Sequence, residues 1–217
     1  MSGTTTIRLT LIAPAGGRDL REARFSGDGP VDPAALARAA GAGAALRGTF
    51  PRGTARWVVS PSHRCRATAD ALRGPAPDAA PAPGPTPGEV SEEVPALAGP
   101  DMGRWRGRTL AEVSAEDPKA LVSWLSDPAA APHGGESLLS LRTRVGAWLD
   151  TTRDTERGSG TGRLVAVVEP DVVRAAVAHA LDLPAPAFRR LDVEPLGAVE
   201  LTGRSGRWNL RVARALD

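Results

Sequence analysis

The sequence predicts an α/β protein in which helices cover both faces of a sheet, and two observations carry that expectation. Residues 163–168, RLVAVV, are apolar along nearly their whole length and run straight into a helical pattern, so this strand needs cover on both faces. Strand-like and helix-like segments also alternate along the chain. At 217 residues, with 41% hydrophobic and 24% charged, the chain has the length and composition of one compact domain spanning 1–217.

The elements follow in order. Residues 5–12 alternate Ile7, Leu9 and Leu11 with Arg8 and Thr10, the two-residue period of a strand. A helix starts at Asp32 as cap with Pro33 in its first position, and Gly41 and Gly43 weaken its middle. ARWVVS at 55–60 is a second strand, followed by a helix from Arg64 to Arg73 that Gly74 and Pro75 stop. Residues 74–88, GPAPDAAPAPGPTPG, hold too much proline and glycine for a helix or central strand and read as an exposed loop within the domain. Asp117 caps a short helix with Pro118 behind it. A longer helix beginning near Glu136 lines up Leu138, Leu141, Val145, Trp148 and Leu149. After the strand at 163 and its helix, two strands at 197–202 and 207–212 close the chain.

Composition excludes several functions. Twenty-seven basic against 25 acidic residues, interspersed, leave a net charge of +2, which argues against a nucleic-acid binder. The densest basic stretch, Arg104 to Arg108 in GRWRGR, reads as a solvated loop anchored by its tryptophan. No apolar run reaches the roughly 18 residues of a membrane span, and the start lacks a secretory pattern. With one cysteine, Cys65, these features point to a cytoplasmic protein without disulfides. Three scattered histidines and one cysteine show no metal-ligand spacing. Neither Gly16-Gly17 nor GDG at 27–29 has the Lys-Ser/Thr completion of a phosphate loop, so neither metal nor cofactor is expected.

Five local motifs, in order, resemble the histidine phosphatase superfamily, the phosphoglycerate-mutase-like proteins. LTLIAPAGGRDLREARFSGDGPVD at 9–32 resembles the family's opening strand, catalytic loop and Arg-Phe-x-Gly segment. VVSPSHRCRATADAL at 58–72 resembles its Ser-Pro-x-x-Arg-x-x-x-Thr-Ala motif, GRWRG at 103–107 its Gly-x-Trp-Glu-Gly, HGGESLLSLRTRV at 133–145 its Gly-Glu-Ser helix start, and VAVVEPDVVRAAV at 165–177 its second catalytic strand and helix. The resemblance implies a three-layer α/β/α sandwich with a mostly parallel central sheet.

It also locates departures. The family's Arg-His-Gly, whose His attacks phosphorus, stands here as Ala13-Pro14-Ala15, and its Ser-His-Gly as Glu169-Pro170-Asp171. The carboxylate proton donor, some four residues before the glycine matched by Gly103, falls on Gly99; only the motif arginine remains, as Arg64. Neither proline's tertiary amide nor alanine's methyl supplies a nucleophilic lone pair. Two carboxylates in place of cationic donors repel a phosphate dianion. The expectation is therefore a degenerate homologue binding a small molecule or protein partner in the converted pocket. The alternative is an enzyme with new chemistry, using Glu169 or Asp171 as acid-base groups and Arg64 as substrate anchor; residual phosphatase activity comes last. Arg64 is either an anion anchor or the partner of Glu169 or Asp171. His133, before the Gly135-Glu136-Ser137 helix start, is a candidate acid-base group, with a surface histidine as the plainer reading. His63 is read as solvent-facing and His179 as packing. Cys65 is read as a packed thiol, though Arg64 and Arg66 beside it offer a route to a lowered pKa.

Overall fold

The computed structural model describes residues 6–25, 29–49, 55–74, 91–155, 162–204 and 206–212. Six strands form one sheet: β1 (Ile7–Ile12), β2 (Arg56–Val59), β3 (Glu92–Glu93), β4 (Arg163–Val167), β5 (Ala198–Arg204) and β6 (Arg207–Arg211), in the order β3-β2-β4-β1-β5-β6. The first four of that order are parallel, with β1 and β4 paired Leu9 to Leu164 and β2 and β4 paired Val58 to Ala166. β5 and β6 complete the sheet antiparallel. The expected α/β fold is present, with a mixed six-stranded sheet.

Among the described residues seven α-helices accompany it: α1 (Arg18–Arg21), α2 (Pro33–Thr49), α3 (His63–Arg73), α4 (Leu110–Glu116), α5 (Pro118–Ser126), α6 (Leu138–Thr155) and α7 (Pro170–Ala180). The side-chain alternation of the strands sorts the helices into two layers. Ile7, Leu9, Leu11, Val58, Leu164 and Ala166 pack on Leu141, Val145 and Leu149 of α6 and on Val172, Val173 and Ala176 of α7. Ile12, Val59, Val165 and Val167 face the other way, onto Ala39 of α2 and Cys65, Ala69 and Leu72 of α3. Thr10, assigned by periodicity to a polar side, is buried as well, because both sheet faces are covered.

Local signals operate where the sequence places them. Asp32 Oδ1 accepts the Ala34 amide at 3.0 Å, and Asp117 Oδ1 accepts the Ala120 amide at 3.1 Å ahead of Pro118. Gly74 ends α3 at φ +69, a conformation that favours glycine. Beyond it, residues 75–88 of the proline-rich stretch lie outside the described residues, as do 27 and 28 of GDG. The helix from Pro33 continues through Gly41 and Gly43 to Thr49.

The segment between β3 and α6 caps the carboxyl end of the sheet. Met102, Trp105, Val113 and Leu121 form a small core there with Phe25 and Trp124. The Phe25 amide donates to the Arg108 carbonyl at 2.9 Å and the Gly107 amide to the Phe25 carbonyl at 2.7 Å, joining the Arg-Phe segment to GRWRG. In that stretch Trp105 is buried, while Arg104 pairs with Asp117 at 2.7 Å, Arg106 with Asp101 at 2.8 Å and Arg108 with Glu116.

Candidate functional site

β1, β2 and β4 run parallel and end on the same side, so their outgoing loops meet in a crevice, the usual place for a ligand in such a sheet. From β1 come Ala13, Pro14 and Ala15, all buried. The Ala13 amide donates to the Gly197 carbonyl at 2.9 Å, and the Ala15 amide to Thr68 Oγ1 at 2.9 Å. Thr68 Oγ1 in turn donates to the Arg64 carbonyl at 2.7 Å, binding the β1 loop to α3.

β2 leads into Ser62, the N-cap of α3, whose Oγ accepts the Cys65 amide at 3.2 Å. Arg64 follows in the first turn. β4 leads into Glu169, in the cap position of α7 with extended backbone at φ −58 and ψ 149, followed by Pro170 in the first helical position. That geometry sends the Glu169 side chain into the crevice. Glu169 Oε1 accepts from Arg64 Nε at 2.8 Å and from Ser62 Oγ at 2.7 Å, while Oε2 accepts from Arg64 Nη2. The pair is bidentate and mostly dry, with side-chain exposures of 22% for Arg64 and 7% for Glu169. Burial alone lowers the Arg64 pKa, but the hydrogen bonds and charge of Glu169 outweigh it and leave it raised.

The two partners open to Arg64 in the sequence are thus separated. Asp171 lies in the first turn of α7 and pairs with Arg174 at 2.8 Å, while Arg174 Nε donates to the Leu191 carbonyl. It does not join Glu169 at Arg64. Gly99 faces Glu169: a Cβ on it would stand 3.0 Å from Glu169 Cγ. Sequence reasoning missed the residue holding Gly99 there. Arg144 of α6 pairs with Glu136 at 2.7 Å and donates to the Ala96 and Ala98 carbonyls at 2.8 and 3.1 Å. Its clue was an arginine eight positions after the Gly-Glu-Ser glutamate, which itself stands just ahead of α6.

On its open side the crevice is a cleft lined by Ala15, Gly17, Asp19, Gly29, Pro30, Val31 and Arg64. Asp19 Oδ2 accepts the Gly29 amide at 3.0 Å, and its charge also acts on Arg64. Ser62 and Asp19 are further site residues that the sequence did not single out.

The remaining candidates take no part in the Arg64–Glu169 ion pair. Cys65 is fully buried with Sγ 3.6 Å from Glu169 Oε1; burial, then the Glu169 charge, push its pKa well up, opposite to the activating effect of the flanking arginines. His133 is 2% exposed, not at the surface: its ring packs 5.1 Å from that of Trp105, and its Nδ1 accepts the Gly135 amide at 3.0 Å. His63 opens α3 and is exposed; His179 packs over Gly146, with Nε2 3.1 Å from Asp150 Oδ2.

Comparison with known proteins agrees with this architecture. The glucosyl-3-phosphoglycerate phosphatase of Mycobacterium tuberculosis is 30% identical over 112 residues, 49% of this chain and 49% of that protein. The protein of the same name from Mycolicibacterium vanbaalenii is 36% identical over 87 residues, 38% of this chain and 39% of its own. The chain spans about half the length or less of these curated relatives in the matched regions. The solved structure of a mycobacterial glucosyl-3-phosphoglycerate phosphatase with VO3 superposes at a TM-score of 0.76 and 25% identity, covering 95% of this chain and 98% of the other. The phosphoserine phosphatase of Entamoeba histolytica shares the fold at a TM-score of 0.74 and 18% identity, covering 94% of each chain. The family model for the histidine phosphatase superfamily, branch 1, matches residues 18–215, starting just past the Ala13-Pro14-Ala15 loop. The chain belongs to the histidine phosphatase superfamily.

Proposed function

We propose that this chain is a non-hydrolysing member of its superfamily, which uses the converted crevice to bind a small molecule or a protein partner. The observation that carries this is the closed Arg64–Glu169 pair, at a site where the β1 loop offers Pro14 as its central residue. Phosphoryl transfer through a covalent intermediate needs a nucleophile and free cationic donors. Pro14 has no lone pair to give, and the guanidinium fork of Arg64 already holds a carboxylate. The relatives named as glucosyl-3-phosphoglycerate phosphatases act on a phosphomonoester; a ligand for this crevice is one that needs no seat for a phosphoryl dianion. Glu169 and Asp171 as acid-base groups for new chemistry are not favoured, since each is engaged by an arginine.

Incubation of the purified protein with an aryl phosphate, across acid to mildly alkaline pH, is expected to release no more product than buffer. Turnover that disappears in Arg64→Ala would overturn the proposal. Turnover that survives the substitution belongs to a contaminant.

A further inference from the structure

The strand alternation that sorts the helices into layers also gathers charge on one part of the sheet. Trp208 and Leu210 of β6 and Leu201 of β5 turn toward α6 and α7, so Arg207 and Arg211, with Glu200 and Arg204, turn to the opposite face. Arg8 of β1 and Arg163 of β4 share that face, because Leu9 and Leu164 beside them pack on α6 and α7. There α2 and α3 cover Val59, Val165 and Val167, while Arg207, Asn209 and Arg211 of β6 are exposed. Glu200 pairs with Arg211 at 2.5 Å. Arg8, Arg204 and Arg207 are exposed and have no ion pair among the described residues. Arg204 stands directly opposite Arg207 in the β5–β6 ladder, a like-charge arrangement that costs stability. β6 is also the end of the sheet: among the described residues it pairs with β5 alone. Keeping stray strands away would account for charges on the edge strand, but Arg204, Arg8 and Arg163 lie one, two and three strands inside it.

We propose that the edge of β6 binds an extended acidic segment of a partner protein, which adds to the sheet as a further strand and lays its carboxylates on the arginine face. Main-chain groups of β6 supply the pairing, and alternate side chains supply the selection. Carboxylates four residues apart in the added strand face Arg207 and Arg211, with Asn209 between them, and the guanidinium forks suit them. The side chains between those carboxylates fall on the face of Trp208 and Leu210, so that set is apolar. Nucleic acid is disfavoured, because the face offers no aromatic ring for a base to stack on and Trp208 is buried on the other side. Neither a phosphate backbone nor a lipid surface matches the alternating donors and acceptors of a strand edge. A second copy of this chain, pairing edge to edge, would bring its own arginines against these. Arg8, Arg204 and Arg207 cluster toward the start of β1, whereas the crevice lies beyond its far end, so the two sites are separate.

The probe is a short blocked peptide alternating glutamate with valine, labelled and titrated with the full chain by fluorescence polarisation. Saturable binding that weakens as salt is raised is expected. Arg207→Glu is expected to weaken it roughly fivefold, exchanging one exposed ion pair for a repulsion. Arg190→Glu, the same change of net charge in the turn Ala185–Arg190 off the sheet, should leave it unchanged. The same peptide N-methylated throughout keeps its charge but cannot donate to a strand, and it should bind the wild type at least about tenfold more weakly. That comparison needs no variant and stands even if Arg207→Glu fails to fold. A wild type that binds no peptide overturns the proposal, as does an equal loss in Arg190→Glu or equal binding of the methylated peptide. An oligonucleotide or an anionic lipid vesicle that binds more tightly than the peptide and displaces it also overturns it. Hydrolysis of an aryl phosphate bears on the crevice alone and leaves this proposal standing.

Discussion

Histidine 133 shows how far a single side chain depends on what covers it. The loop that carries it, rich in proline and glycine, has no two- or 3.6-residue period from which burial can be read, so a surface histidine was the plain expectation. The structure buries it against Trp105, with Asp101 and Arg104 the charged groups that act on it. Burial lowers its pKa from the ordinary 6.5; Arg104 adds to that and Asp101 opposes it. As pH falls below about 6.5 the unfolded chain takes up this proton before the folded one does. Stability is therefore undiminished at this site above that value, falls between it and the lower folded value, and levels off beneath. His133→Asn can still accept the Gly135 amide but cannot titrate. Its urea midpoint should drop less than that of wild type between neutral pH and pH 5, a pH at which carboxylate effects are common to both. Parallel curves for the two proteins would show that His133 carries no such burden. Cys65 makes the same point in reverse: the arginines beside it in sequence suggest activation, yet burial and a carboxylate neighbour in space decide its pKa.

Several elements were legible from a cap or a period, as at Asp32, Asp117 and the stripe of α6. The helix α4 carries such a mark too, unread in the sequence. Thr109 Oγ1 accepts the Glu112 amide at 3.1 Å and Glu112 Oε2 accepts the Thr109 amide at 2.7 Å, a capping box spelled Thr-x-x-Glu. The two-residue strand β3 has no pattern long enough to read; Glu92 and Glu93 are strand only because they pair with Val58 and Val59. The two glycines of α2 look alike in sequence and differ in space. A Cβ at Gly41 would meet nothing within 4 Å, whereas one at Gly43 would stand 2.0 Å from the Leu72 carbonyl oxygen of α3. Gly43 is thus what lets α2 and α3 approach, and Gly41 only lowers helix propensity. Gly41→Ala should stabilise by about 0.5–1 kcal/mol, and Gly43→Ala should destabilise by roughly 1–3 kcal/mol through overpacking. Chemical denaturation of both variants checks the opposite signs; equal effects would deny Gly43 its contact role.

At the scale of the whole molecule, positions far apart in sequence meet because parallel strands end on one side of the sheet. Ala15 reaches Arg64 through Thr68, Arg64 reaches Glu169, and Glu169 abuts Gly99. The order of the motifs made this convergence readable. Which carboxylate would take Arg64 was not, because it depends on the extended cap geometry of Glu169 and on Arg174 lying one turn beyond Asp171. The consequence is a sharp prediction for restoring the family's triplets. A fivefold variant, Ala13→Arg, Pro14→His, Ala15→Gly, Pro170→His and Asp171→Gly, still contains Glu169, so Arg64 stays closed and phosphate stays out. Adding Glu169→Ser frees the fork. The same change relieves the contact that Gly99→Glu would make, since its Cβ would otherwise lie 3.0 Å from Glu169 Cγ. The cost to the fold from Asp171→Gly is small, because the Asp171–Arg174 pair is partly exposed and such pairs contribute about 0–1 kcal/mol. Phosphate binding by calorimetry and trapping of phosphohistidine on rapid quench distinguish the variants once thermal melts show all of them folded. Binding should appear in the sixfold variant and be absent from the fivefold one. Equal binding by the two would mean that Arg64 can leave Glu169 for phosphate without cost, and that the two triplets alone, with their two histidines and one arginine, separate this chain from phosphoryl chemistry.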